Sequence, residues 1–92
     1  MIIRILGYGQ FRLDDKHLDN LNRIDNRIVD HVKEGNQDAY RKDLDELISV
    51  VKRLGEPLDP VDIVASDLIF PPADLSFEEA KRVFGGKGII ED

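Results

Sequence analysis

The chain has 92 residues, 41% of them hydrophobic and 35% charged, the balance of one globular domain spanning residues 1–92 with a modest core. Nineteen Asp and Glu against 13 Lys and Arg give a formal net charge of −6, which repels phosphate backbones and anionic headgroups, so nucleic acid is not an expected partner. The absence of cysteine removes disulfides, thiolate metal ligands and thiol nucleophiles together.

The opening MIIRILGYGQFRL alternates apolar and polar residues around Gly7-Tyr8-Gly9, as in a hairpin whose loop needs a positive backbone angle. A three-residue loop pairs Leu6 with Gln10, Ile5 with Phe11, Arg4 with Arg12 and Ile3 with Leu13. This register gathers Ile3, Ile5, Phe11 and Leu13 on one face, whereas a one-residue slip would mix the faces. Asp14-Asp15 then suit a helix cap and first turn. Leu18, Leu21, Ile24, Ile28 and Val32 recur at helical spacing up to Gly35, predicting a long amphipathic helix.

Asn36 can cap a second helix, whose stripe Tyr40, Leu44, Leu47, Ile48, Val51 and Leu54 ends at Gly55 with Pro57 beyond. The short Glu34-Gly35-Asn36 joint makes the two an antiparallel helical hairpin. Beyond GEPLDP comes the least regular part, in which the stretch DLIFPPADL drives an apolar triplet into Pro71 and Pro72. Neither proline can continue a ladder or a helix, so Leu68–Phe70 is expected to be a short extended segment packed on the helical hairpin beside the N-terminal hairpin. Ser76 with Glu79 forms a capping box for a short helix that Gly85-Gly86 stops. The tail KGIIED reads as a short strand or a frayed end. The expected fold class is α+β: an N-terminal β-hairpin, a long antiparallel helical hairpin, an extended Pro-containing segment and a short C-terminal helix.

Few residues invite catalysis. His17 and His31 are separated by fourteen positions, about 21 Å along one helix, too far to share an ion. Asp59, Asp62 and Asp67 lack the glycine-centred spacing of a calcium loop, and Ser49, Ser66 and Ser76 have no base nearby in sequence. No catalytic, cofactor-binding or metal-ligating residue is therefore assigned.

Two polar features are more telling. Asp25 occupies a seam position of the first helix that is normally apolar, so it needs a backbone donor, Tyr40 or a basic group, and is expected to be a structural hydrogen bond fixing the helix pairing. Arg4 facing Arg12 would repel unless a carboxylate covered that face, either Asp67 or Asp74 of the same chain or an acidic segment of another.

MIIRILGYGQFRLDDKHLDNLNRIDNRIV, SDLIFPPADLSFEEAKRVF and GIIED together resemble the PspAA domain family. The shared features are the G-x-G-Q-[FY]-R hairpin at Gly7–Arg12, the pattern around Ile24, Asp25, Ile28 and Val29, and D-x-[IV]-x-P-P-x-D at Asp67–Asp74. The resemblance implies a non-enzymatic partner or modulator of PspA, a long-helix membrane-remodelling protein of the envelope-stress response, acting through protein–protein binding. On that reading Arg4, Arg12, Ile69 and Asp74 are the candidate partner-binding residues, and Leu68 and Phe70 are covered within the chain.

The competing readings are a dimeric small-ligand sensor and a transcription-linked regulatory module. Arg41-Lys42, Lys52-Arg53 and Lys81-Arg82 are interleaved with acids rather than aligned in a stripe, which speaks against the latter. A chain this short buries only about 60–65% of its unfolded surface, so a homodimer would be favourable. No apolar run is long enough to span a bilayer, and the opening residues lack the apolar core and cleavage site of a signal peptide. The expected home is the cytoplasm, with recruitment to the inner membrane face through PspA and no direct insertion.

Overall fold

The structure, a computed structural model, describes residues 1–62, 64–86 and 88–90. Strands β1 (Ile2–Ile5) and β2 (Gly9–Arg12) form the expected hairpin. The turn is centred one residue earlier than the sequence suggests, on Gly7 rather than Tyr8, which shifts the pairing register by two. Tyr8 N–H donates to the Ile5 carbonyl at 2.9 Å, and Gly7 takes the positive φ of +89° that this turn requires. The pairs are therefore Ile5 with Gly9, Arg4 with Gln10, Ile3 with Phe11 and Ile2 with Arg12. Because strand side chains repeat every second residue, a shift by two leaves the inward set unchanged, and Ile3, Ile5, Phe11 and Leu13 are all buried. The direct Arg4–Arg12 opposition does not occur.

Asp14 caps a single 3-10 turn at Asp15–His17, accepting Lys16 N–H. That backbone hydrogen bond holds its carboxyl below the usual carboxylate range. Helix α1 (Leu18–Glu34) follows and ends at Gly35, and Asn36 caps α2 (Gln37–Leu54) through Ala39 N–H. Leu21, Ile24, Ile28 and Val32 of α1 and Leu44, Leu47, Ile48 and Val51 of α2 are buried in one cluster with Ile3, Ile5 and Phe11, so the helical hairpin covers the inward face of the sheet. Leu54, the last residue of the expected α2 stripe, is 45% exposed.

The GEPLDP connector contains a strand that the sequence reading did not expect. Residues Glu56–Pro57 (β3) pair antiparallel with Phe11 and Arg12 of β2. Proline is tolerated there because β3 is an outer strand whose missing N–H removes no ladder bond from the interior. Residues Leu68–Phe70 (β4) pair parallel with β1, giving the order β3-β2-β1-β4. The chain passes from one sheet edge to the other across the face turned away from the helices. Gln10 marks this crossing: its side chain donates to Val64 O at 2.9 Å and Ser66 Oγ at 2.8 Å. Asp67 closes it, donating its N–H to Ile2 O at 2.7 Å and accepting Ile2 N–H on Oδ2 at 2.7 Å.

After Pro71-Pro72, helix α3 (Phe77–Val83) starts at Ser76 with the reciprocal capping box intact. The segment from Gly88 to Ile90 forms no strand, and Ile90 is buried. Lys87, Glu91 and Asp92 of the expected tail element lie outside the described residues.

Candidate interaction surface

Alternation along β1, β2 and β4 sends Arg4, Gln10, Arg12 and Ile69 to the outer face of the sheet, opposite the core residues. The register places Ile69 directly beside Arg4 in β4, and Arg12 between Ile2 and Glu56 one row along. Ile69 is 55% exposed, while Phe70 is fully buried and Leu68 packs against the core. The apolar triplet is thus split by strand alternation: two residues are covered by this chain and one faces out.

Arg4 and Arg12 are exposed and make no ion pair among the described residues. Arg12 has Glu56 as a cross-strand neighbour, whereas both neighbours of Arg4, Gln10 and Ile69, are neutral. Neither internal carboxylate considered from sequence neutralises them. Asp67 is engaged with Ile2 N–H, and Asp74 lies elsewhere, in a depression with Leu6, Gly7, Tyr8 and Pro72. The structure therefore brings Arg4, Arg12 and Ile69 onto one face and leaves Asp74 apart from it.

Asp25 is fully buried and meets backbone donors, as its seam position required. Its two oxygens accept Ile89 N–H at 3.1 Å and Ile90 N–H at 2.9 Å. The carboxylate thus pins the C-terminal segment to α1. Gly88 is required by this contact, because a Cβ there would collide with the carboxylate.

Two polar clusters were not anticipated. On α2, Tyr40 hydroxyl donates to Leu75 O at 2.7 Å, and Arg41 donates to the carbonyls of Ala73 and Leu75. The Tyr40 ring also meets Phe77 edge-on, with centroids 5.7 Å apart. These contacts fasten the segment after the two prolines to the helical hairpin. Burial raises the Tyr40 hydroxyl pKa above its ordinary value; Arg41 opposes the rise and Glu79 and Asp45 add to it.

Between the long helices, Asp43 takes His31 Nδ1 at 2.5 Å and Arg27 Nε at 3.5 Å, and Arg27 also pairs with Glu46. Arg27 and His31 stand four apart on α1 and Asp43 and Glu46 three apart on α2, a pattern that could have flagged the bridge once the helices were taken as antiparallel. Among the described residues no three His, Asp or Glu side chains converge as a metal site, and no helix is long and apolar enough to cross a membrane.

The family model described as PspA-Associated protein matches residues 1–92, the whole chain. No curated protein and no solved structure shows significant similarity to it.

Proposed function

The chain belongs to the PspA-associated protein family, and from that premise we propose that it is a non-enzymatic partner or modulator of PspA in the envelope-stress response, working by protein–protein binding. One observation carries this reading beyond the family association. Arg4 and Arg12, on a protein of net charge −6, stand exposed on the outer sheet face without ion-pair partners among the described residues, beside the outward Ile69. Guanidinium groups so placed suit carboxylates of an incoming segment, and Ile69 adds apolar contact next to them.

The resemblance describes PspA as a long-helix protein, and a helix with an acidic face has the complementary charge. The fold supports such a role by holding the face rigid: its strands are backed by the helical hairpin, and the crossing segment is locked by Gln10. In this account the protein resides in the cytoplasm and reaches the inner membrane face only through PspA. Co-expression with PspA from the same genome, followed by pull-down and light scattering, tests the reading. A co-purifying complex of defined stoichiometry is expected; free protein alone would reject it.

A further inference from the structure

The β1–β2 turn lies against the outer side of α2, with Lys52 Nζ 4.2 Å from the centroid of the Tyr8 ring. Two depressions meet beneath it. One, of about 660 Å³, is bordered by Leu6, Tyr8, Arg41 and Pro72; the other, of about 620 Å³, by Ile48, Lys52 and Arg53. Tyr8 and Ala73 border both, so the two make one trough along α2. From Arg41 to Arg53 it covers twelve helical positions, about 18 Å or somewhat over three turns.

The chemistry of the trough is specific enough to select an occupant. Leu6 and Tyr8, 46% and 47% exposed, supply an apolar lip. Arg41, Lys52 and Arg53 outnumber Asp45 and Asp74 along the walls, a local positive excess on an acidic protein. None of these three cations is ion-paired among the described residues. Nearby backbone groups are already engaged: Tyr8 N–H serves Ile5, and the carbonyls of Ala73 and Leu75 serve Arg41. An extended peptide would find little main-chain pairing here, whereas a helix satisfies its own backbone and binds through side chains. Among the described residues, a second copy of this chain offers no such helix. Its exposed helical apolar residues, Leu18, Leu54 and Val83, are single residues on three different helices.

We propose that this trough receives an amphipathic helix of PspA, about three turns long, with an apolar stripe on Leu6 and Tyr8 and acidic flanks toward Lys52 and Arg53. The inference rests on the PspA-binding reading and adds a specific seat to it. Leu6 links the seat to the outer sheet face: it lies two residues beyond Arg4, and its N–H still donates to Phe70 O at 3.1 Å.

The test uses the full chain and full-length PspA. A photo-crosslinking phenylalanine analogue at Tyr8 is expected to capture a PspA segment with apolar residues at i, i+3 or i+4 and i+7, flanked by acids. Lys52→Glu with Arg53→Glu is expected to weaken binding by about tenfold or more and to flatten its salt dependence, with the circular dichroism spectrum retained and Tm lowered by only a few degrees through loss of the Lys52–Tyr8 contact and of two cations from the last turn of α2. If the wild type binds PspA while crosslinking at Tyr8 yields no PspA adduct and the double variant binds normally, the trough assignment is wrong and the PspA reading stands. Crosslinking only to a second copy overturns it in favour of self-association. Absence of wild-type binding removes both.

Discussion

The two faces of the four-stranded sheet differ in how completely the chain itself satisfies them. On the inner face Ile3, Ile5 and Phe70 are fully buried against the helical hairpin. The segments docked around that core end on matched partners: Leu75 O on Tyr40 and Arg41, and the amides of Ile89 and Ile90 on Asp25. On the outer face the same strands present Arg4 and Arg12, which make no ion pair among the described residues, and Ile69 half out of contact. Alternation therefore sorts neighbouring residues by role. Ile69 and Phe70 differ by one position, yet Phe70 is enclosed in the core and Ile69 is 55% exposed on the outer face.

The largest effect belongs to the inner face. Phe70→Ala should cost about 3–5 kcal/mol, because the side chain is fully enclosed within the core cluster and its removal leaves a cavity. Urea unfolding should show a lower midpoint with little change in slope. Ile69→Ala, the matched change on the outer face, should stay within about 0.5 kcal/mol of wild type; a comparable loss at both positions would erase the distinction between the faces.

Asp25→Ala should cost about 1–3 kcal/mol by leaving the two tail amides without their acceptor, and hydrogen exchange should speed up at Ile89 and Ile90. Gly88→Ala should also destabilise, through collision with the same carboxylate. Combined with Asp25→Ala it should cost less than the sum, since the first substitution removes what the second would strike. Strict additivity would mean that the carboxylate is not what the glycine accommodates.

Tyr40→Phe should cost about 1 kcal/mol, because Arg41 still donates to Leu75 O. Its diagnostic lies in pH dependence. The folded state holds the Tyr40 proton more tightly than the unfolded state does, so between the ordinary value of 10.0 and the raised folded value the native protein binds more protons. Stability should be independent of this group below about pH 10 and fall as pH rises through that window. Tyr40→Phe should reduce the alkaline slope; an unchanged slope would show that the hydroxyl is not held protonated by burial.

Much of this division was visible in residue spacing. The inward set Ile3, Ile5, Phe11 and Leu13, the two long helices and their Gly35 joint, the Ser76 capping box and the extended triplet before Pro71 all follow from local pattern. The hairpin register did not, because a two-residue shift keeps every side chain on its face and only the turn geometry around Gly7 distinguishes the alternatives. Strand β3 was concealed by Pro57, which reads as a breaker although an edge position tolerates it. The polar anchors were illegible for a different reason. Gln10 meets Ser66 and Asp25 meets Ile90 across separations of 56 and 65 residues, and a single sequence marks the need for a partner without naming it. For the candidate surface, Arg4, Arg12 and Ile69 emerged from alternation, while the trough depends on the turn lying against α2 and has no local signature.

The most direct test reverses charge on the outer face alone. Arg4→Glu with Arg12→Glu is compared with wild type for affinity toward PspA by titration calorimetry, alongside thermal unfolding and circular dichroism of each protein. The account predicts an unchanged fold, stability lowered by about 1 kcal/mol because Arg12→Glu sets like charges opposite each other at Glu56, and binding weakened by at least about tenfold, because carboxylates would then face carboxylates. Wild-type affinity in a correctly folded double variant would contradict it.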